Sequence, residues 1–386
     1  MRNLGLDLLR LLAVLFVFGR HLTVPEGAPG FLRVWQTGGW VGVDLFFVLS
    51  GFLVSGLLFR EYLRHESVNL KRFLIRRGLK IYPPFYVLIA LTLVVKIVSD
   101  QPPSTRLVVG EVFFLQNYLG GMWNHTWSLA VEEHFYIGLA VLCFWLLRKR
   151  KPSGESHAPF RKVPAICLGV AVTCLLLRMA NPFLHDFYTH RRYLFGTHLR
   201  IDSLCFGVLL SYLWHLGSLK ARTAKLPSTV LVVAGLALLS PAFIFPLREH
   251  VWVSIFGVIP LYLGSGALLL AFLRIESSGI KLLNLGGALG AASYSIYLWH
   301  MPVAIWGWPM AQKLPGMGSY PSYFVFYMVG SLAFGWMMSK VVEWPVLRLR
   351  DRFFPSGARQ AGCPEGKPAP ERPDASLPAG PITAAR

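Results

Sequence analysis

The stretch RLLAVLFVFGRH, Arg10 to His21, decides how this chain is read. It is apolar enough to cross a membrane, yet it opens on an arginine and closes on a histidine. Eleven steps at ~100° leave the two side chains only ~20° apart around a helix and ~16 Å apart along it. Asp7 lies one turn earlier on nearly the same face. An ionisable stripe on one side of an apolar helix is costly in hydrocarbon, so it should face the protein interior or a cavity, where it marks a functional site. Plainer accounts exist for each end: Arg10 snorkelling to headgroups and His21 capping the helix.

The rest of the sequence extends this membrane reading. Of 386 residues, 54% are hydrophobic and only 15% charged, against about 25% charged in soluble domains, and the mean hydropathy is +0.50. Ten apolar segments approach the ~20 residues a spanning helix needs: 5–22, 40–59, 79–98, 127–147, 163–180, 198–216, 229–245, 251–273, 285–310 and 320–342. A further piece, 108–119, is too short to cross and is expected to be re-entrant or interfacial. The expected fold class is therefore all-α, a polytopic bundle of about ten transmembrane helices plus that short segment. With the N-terminus inside, most of the 38 Lys and Arg fall on cytoplasmic loops and the tail, which orients the bundle with both termini cytoplasmic. The same asymmetry accounts for the formal charge of +19 without a nucleic-acid partner. Residues 1–345 are expected to form the membrane domain, and 346–386 a Pro- and Ala-rich disordered tail. RKRKPSGESHAPFRK, after Leu147, reads as a basic cytoplasmic linker. The N-terminus lacks a small-residue cleavage site and reads as a retained helix rather than a signal peptide. The five cysteines include no CxxC pair, so neither a disulfide framework nor a metal site is indicated.

Several constellations can carry chemistry. His21, near the outer end of the first span, is a natural general base. In KRFLIRRGLKIYPPFY, Arg76, Arg77 and Lys80 sit at the cytoplasmic mouth of the third span. They serve either as positive-inside anchors or as a clamp for phosphate oxygens, with Pro83 and Pro84 expected to break or bend the helix beyond. HTWSLAVEEHFY sets Glu132 and Glu133 about 100° apart on one helix, so only one easily faces a given cavity; a carboxylate here can orient a histidine or pair with an arginine. Weaker signals are Asp44 and Ser50 in GVDLFFVLSGFL, Arg200 and Asp202 in THLRIDSLCFG, Tyr297 and His300 in SYSIYLWHMP, and Glu343 in VEWP. Singly, each reads as an interhelical hydrogen bond. Buried Arg, His, Asp and Glu also build proton relays, so a proton-coupled transporter is the alternative, although no internal repeat is visible.

In series, the Arg-x10-His of the first span, GVDLFFVLSGFL, RRGLKIYPPFY, WSLAVEEHFY, the Arg200 region, SYSIYLWHMP and the Glu-x-Pro at Glu343 resemble the acyltransferase 3 family of multipass membrane O-acyltransferases. The resemblance spans roughly residues 5–350. It implies transfer of an acyl group, usually acetyl from acetyl-CoA, to a hydroxyl of a carbohydrate or other extracytoplasmic molecule. The expected partners are an acyl-CoA co-substrate, a carbohydrate or lipid-linked glycan acceptor and membrane lipids, in the cell (inner) membrane, with no bound cofactor. The resemblance also implies His21 as the catalytic histidine, Arg10 as its motif partner, Arg76 and Arg77 as donor-handling groups, and Trp127 and Glu132 as the family's Trp-x4-Glu element. Lys80, Ala130 and His134 stand where the family commonly has Arg, Ser and Gln. The expected mechanism runs the pantetheine arm along the first span from the cations to His21, with Glu132 orienting the imidazole or offsetting its positive charge as the third member of a triad does.

Overall fold

The computed structural model describes residues 3–148, 158–184 and 187–355. Most of the basic linker and the chain from Ser356 onward lie outside the described residues. Every regular element among the described residues is helical. In chain order they are α1 (Leu4–His21), α2 (Gly30–Gly38), α3 (Val41–His65), α4 (Leu70–Val98), α5 (Thr105–Val112), α6 (Gln116–Leu119), α7 (Trp127–Arg148), α8 (Val163–Leu184), α9 (Thr197–His215), α10 (Leu219–Ala224), α11 (Ser228–Leu239), α12 (Pro241–Ile244), α13 (Val258–Phe272), α14 (Lys281–Ala291), α15 (Ser293–Pro302), α16 (Trp308–Ala311), α17 (Tyr320–Met338) and α18 (Trp344–Phe353). Wide π-helical turns at Val253–Gly257, Val303–Gly307 and Ser339–Glu343 lead into α13, α16 and α18.

Among the described residues, six helical runs are long and apolar enough to cross a membrane: Val41–His65, Leu70–Val98, Asn124–Arg148, Val163–Leu184, Val253–Phe272 and Tyr320–Phe353. The chain is a multipass membrane protein. The first, sixth, seventh and ninth expected segments are helical but fall outside this set, each for a local reason. Helix α1 carries Asp7, Arg10 and Arg20. Helix α9 carries Arg200 and Asp202. The run Ser228–Ile244 is short, and α14 and α15 are divided at Ala292. The last helical run carries on past the boundary expected at 345 to Phe353. Helix α4 also continues through Pro83 and Pro84 rather than ending there. The Tyr294 hydroxyl donates to the Ile81 carbonyl in the same stretch, the kind of support by which membrane helices accommodate proline.

Two close crossings position the site. Helices α3 and α9 meet at Gly51 and Gly207, where a Cβ on Gly51 would lie 2.0 Å from the Leu204 carbonyl oxygen. Backbone contact of this kind is how membrane helices pack when water supplies no driving force between them. Beside that crossing, the buried Asp44 carboxylate accepts from Arg200 at 2.7 Å. One turn of contact away, Arg178 of α8 pairs with Asp202 at 2.8 Å and also donates to the Leu199 and Ile255 carbonyls. Asp44, Arg200 and Asp202 thus tie α3, α8 and α9 together. The second crossing seats α1 on α14, with Gly290 against the Asp7 backbone.

The piece at 108–119 forms α5 and α6, joined by a turn at Phe114 with φ 56°. Buried Glu111 accepts from the Met122 N–H at 2.8 Å, and Gln116 donates to the Thr126 carbonyl at 2.9 Å. Trp123 donates from its indole to Thr92 of α4 at 2.8 Å. These bonds pin the loop that delivers His125 to the bundle.

Candidate functional site

A cavity of about 760 Å³ opens between α1, α3, α4, α7, α15 and α18. Its walls include Arg10, Arg60, Arg64, Arg72, Arg76, Arg77, Lys80 and Arg350, set against the carboxylates Glu61 and Glu132. The excess of cations follows from the local sequence. Asn69 caps α4 by accepting the Arg72 N–H at 2.9 Å, and from that start the 3.6-residue period brings Arg72, Arg76 and Lys80 to one side of the helix, with Arg77 beside them.

The cations differ in how free they are. Arg76 pairs with Asp351 of α18 at 3.0 Å and donates to the Phe354 carbonyl. Arg72 pairs with Glu61 at 2.6 Å, and Arg10 with Asp7 at 2.5 Å. Arg77 lies over the Tyr136 ring, 5.4 Å from its centroid. Glu132 faces this cavity and accepts from the Tyr136 hydroxyl at 2.7 Å, while Ser50 is 2.5 Å from the same hydroxyl. Glu133 turns the other way and accepts from Tyr82 at 2.9 Å, as the angular separation of adjacent helical residues requires.

Ser128 and Tyr297 also line the cavity, and their hydroxyls lie 2.7 Å apart. The Tyr297 hydroxyl also donates to the His125 carbonyl at 2.5 Å. Behind the Tyr297 ring lies a cluster of three imidazoles. The ring centroids of His21 and His300 are 5.2 Å apart, of His125 and His300 5.0 Å, and of His21 and His125 6.4 Å. Tyr297 is 5.5 Å from His125 and 5.7 Å from His300, so this one side chain lines the cavity and contacts the cluster. His125 and His300 are buried and His21 half-buried. Outside the spanning helices, His190 lies against α1, where Arg20 donates to its Nε2 at 2.7 Å. Burial, with Arg20 and Arg248 nearby, pushes that ring down to about 4.

The model of an acyltransferase domain, that of the acyltransferase 3 family, matches residues 3–340. The chain belongs to this family. It is similar to the O-acetyltransferase OatA of Staphylococcus aureus, with 27% identity over 322 residues that cover 78% of this chain and 50% of that protein. A second protein of that organism, provisionally named an O-acetyltransferase, is 29% identical over 326 residues, again 78% of this chain and 50% of the relative. The chain thus spans about half the length of the curated relatives it matches. No solved structure matches it.

Within this family member, the residues singled out from the sequence fall into three places. Arg10, Arg76, Arg77, Lys80 and Glu132 share the cavity, and Asp7 neutralises Arg10 at its edge. His21 and His300 share the imidazole cluster, with Tyr297 between the two regions. Asp44, Arg200 and Asp202 are engaged in buried ion pairs, and Trp127 joins that layer. Trp127 stacks on Phe195 at 4.5 Å and lies 5.7 Å from the Arg200 guanidinium. Two expectations about geometry change. His21 is not among the residues lining the cavity that holds Arg10. Glu132 makes its hydrogen bond to Tyr136, and among the described residues none joins it to His21. The reason is helical phase: Glu132 and Tyr136 are one turn apart on the cavity face, and Tyr297 stands between that face and the cluster. His125 was not singled out from the sequence, although it heads the HTWSL motif. Tyr136 and Arg350 were also missed; the Tyr136 hydroxyl acquires meaning only from Ser50, far away along the chain.

Proposed function

We propose that this protein moves an acetyl group from acetyl-CoA to a hydroxyl of a carbohydrate or lipid-linked glycan on the outer side of the cell (inner) membrane. In this reading α1, α9, the run Ser228–Ile244 and the α14–α16 run also cross, giving ten spans with both termini cytoplasmic. The observation that carries the proposal is the pairing of a cation-lined cavity with an imidazole cluster, both in contact with the Tyr297 side chain. Relatives named O-acetyltransferases agree with it.

The chemistry divides accordingly. Phosphate oxygens of the donor bind Arg77, Lys80 and Arg76, the last by competing with Asp351; guanidinium forks suit phosphate geometry. Arg10, paired with Asp7 at the cavity edge, adds a hydrogen-bond donor to the cavity wall rather than net charge. The thioester end of the donor passes the Ser128–Tyr297 pair. Neutral His21 takes the proton of the acceptor hydroxyl as its oxygen bonds to the acyl carbon. The C–S bond breaks, and the departing thiolate takes up that proton from the imidazolium. Glu132 offsets the charge of Arg77 and Lys80 and holds Tyr136 in place beneath Arg77, rather than orienting His21.

The purified full chain, given labelled acetyl-CoA and a glycan extract, tests this reading. His21→Ala should lose at least about 100-fold of acyl transfer while inserting normally and still binding acetyl-CoA. Undiminished transfer in that variant would remove His21 from the chemistry. Failure of the wild-type protein to bind acetyl-CoA would end the proposal.

A further inference from the structure

The three-histidine cluster specifies more than a base. His300 Nδ1 lies 2.5 Å from the Tyr297 carbonyl oxygen, and His125 Nε2 lies 3.2 Å from the Leu298 carbonyl oxygen. A carbonyl only accepts, so each of these nitrogens carries the ring hydrogen. The opposite nitrogens, His300 Nε2 and His125 Nδ1, are therefore bare lone pairs. Both are buried, and neither has a hydrogen-bond partner. They cannot satisfy one another, because both accept.

Protonating both nitrogens of either ring would bury a cation with no carboxylate within hydrogen-bond reach among the described residues, which is costly. A metal ion is the other group that lone pairs attract. Among the described residues, however, no group of three His, Cys, Asp or Glu is placed to hold one. Hydroxyl hydrogens remain. Orphaned buried acceptors of this kind call for a donor, and here two of them flank His21 on rings 5.2 and 6.4 Å away. Apolar faces stand beside them: Phe18 stacks on His300 at 5.5 Å, and Trp123 lies edge-on to His125 at 5.9 Å. A polyol ring, apolar on its C–H face and hydroxylated at its rim, matches that pairing.

We propose that His125 and His300 form an acceptor subsite whose bare nitrogens take the hydrogens of hydroxyls neighbouring the one that is acylated, so that the enzyme acts on a polyol or sugar and discriminates against an isolated alcohol. The proposal rests on the transferase reading above. His21 removes the proton of the attacking hydroxyl; His300 and His125 exchange no proton and hold the adjacent ones. A substrate lacking the neighbouring hydroxyl leaves a buried acceptor unpaired, which costs about 10- to 100-fold in rate.

The test uses the full-length protein in proteoliposomes with radiolabelled acetyl-CoA and two probe acceptors, trans-cyclohexane-1,2-diol and cyclohexanol. The diol should be acetylated at least about 10-fold faster, well beyond the twofold that its hydroxyl count alone gives. This wild-type ratio needs no variant. His300→Phe, which keeps a ring against Phe18 but accepts nothing, should bring the ratio close to the statistical value, with acetyl-CoA affinity unchanged within about twofold. His300→Gln, whose amide oxygen can accept, should restore part of the preference. Equal rates on the two alcohols, transfer to neither while acetyl-CoA binds, or an unaltered preference in His300→Phe would overturn the proposal. So would one tightly held zinc ion per chain whose removal abolishes transfer. Loss of acetyl-CoA binding by the wild-type protein would instead strike the transferase reading itself, so the two failures are distinguishable.

Discussion

At the scale of single residues, the decisive contrast is between cations that are committed and those that are available. Arg76 is held by Asp351 and the Phe354 carbonyl, whereas Arg77 rests on the Tyr136 ring. Arg77→Lys keeps the charge but loses the fork and most of the stacking. It should raise the acetyl-CoA KM about 10-fold, equivalent to about 1.4 kcal/mol, with a smaller effect on kcat. Asp351→Asn should do the reverse by freeing Arg76, lowering KM several-fold. Steady-state kinetics on the two variants check both signs. The sequence placed these cations at one helix mouth through periodicity alone. It could not show that Glu132 serves Tyr136 and not His21, because that choice depends on α15 inserting Tyr297 from more than 160 residues away.

Among elements, the ties between α3, α8 and α9 set the frame. Asp44 and Arg200 are nearly fully buried, so removing one partner strands the other in a poor solvent. Asp44→Ala should destabilise the fold by about 3–5 kcal/mol, read as a lower unfolding midpoint in detergent. Asp44→Leu combined with Arg200→Met should recover much of that loss, since a paired apolar replacement leaves no orphan charge. In the sequence these residues are weak candidates, each reading singly as an interhelical hydrogen bond. Their partners, visible only in three dimensions, assign them to the scaffold.

The α5–α6 turn offers a pH-dependent test outside the spanning helices. Burial pushes the Glu111 carboxyl up to about 7, despite bonds from Thr126 and the Met122 and Trp123 N–H groups. An acid raised in the folded state binds protons more tightly there than when unfolded. Its contribution is therefore full below the unfolded value and is lost as pH rises through about 7. The wild-type unfolding temperature should fall between roughly pH 5 and pH 7, and Glu111→Gln should flatten that slope. An unchanged slope in the variant would show that another group controls it.

For the whole molecule, hydropathy made the helical, membrane-embedded class legible from composition alone, and it located every long run. Counting the spans was harder. The helices that fall short by length and composition, such as α1 and α9, are those that carry Asp7, Arg10, Arg200 and Asp202, so the groups that build the site and scaffold also dilute the signal. Single cysteines introduced near Gly27 and Gly316 should react with a membrane-impermeant thiol reagent from outside the cell in the proposed ten-span arrangement. One near Glu66 should react only after permeabilisation.

The placing of Tyr297 between cavity and cluster has a kinetic corollary. In the proposed arrangement, a cofactor analogue that lodges among the arginines and a saccharide mimic that lodges by the imidazoles would enter from opposite sides of the membrane. Neither could crowd the other out at its port of entry. Inhibition by either should therefore lower maximal velocity without being relieved by excess of the opposite reactant, and a medicinal chemist could approach the protein from outside without ever competing against the cell's own pool of activated acetate.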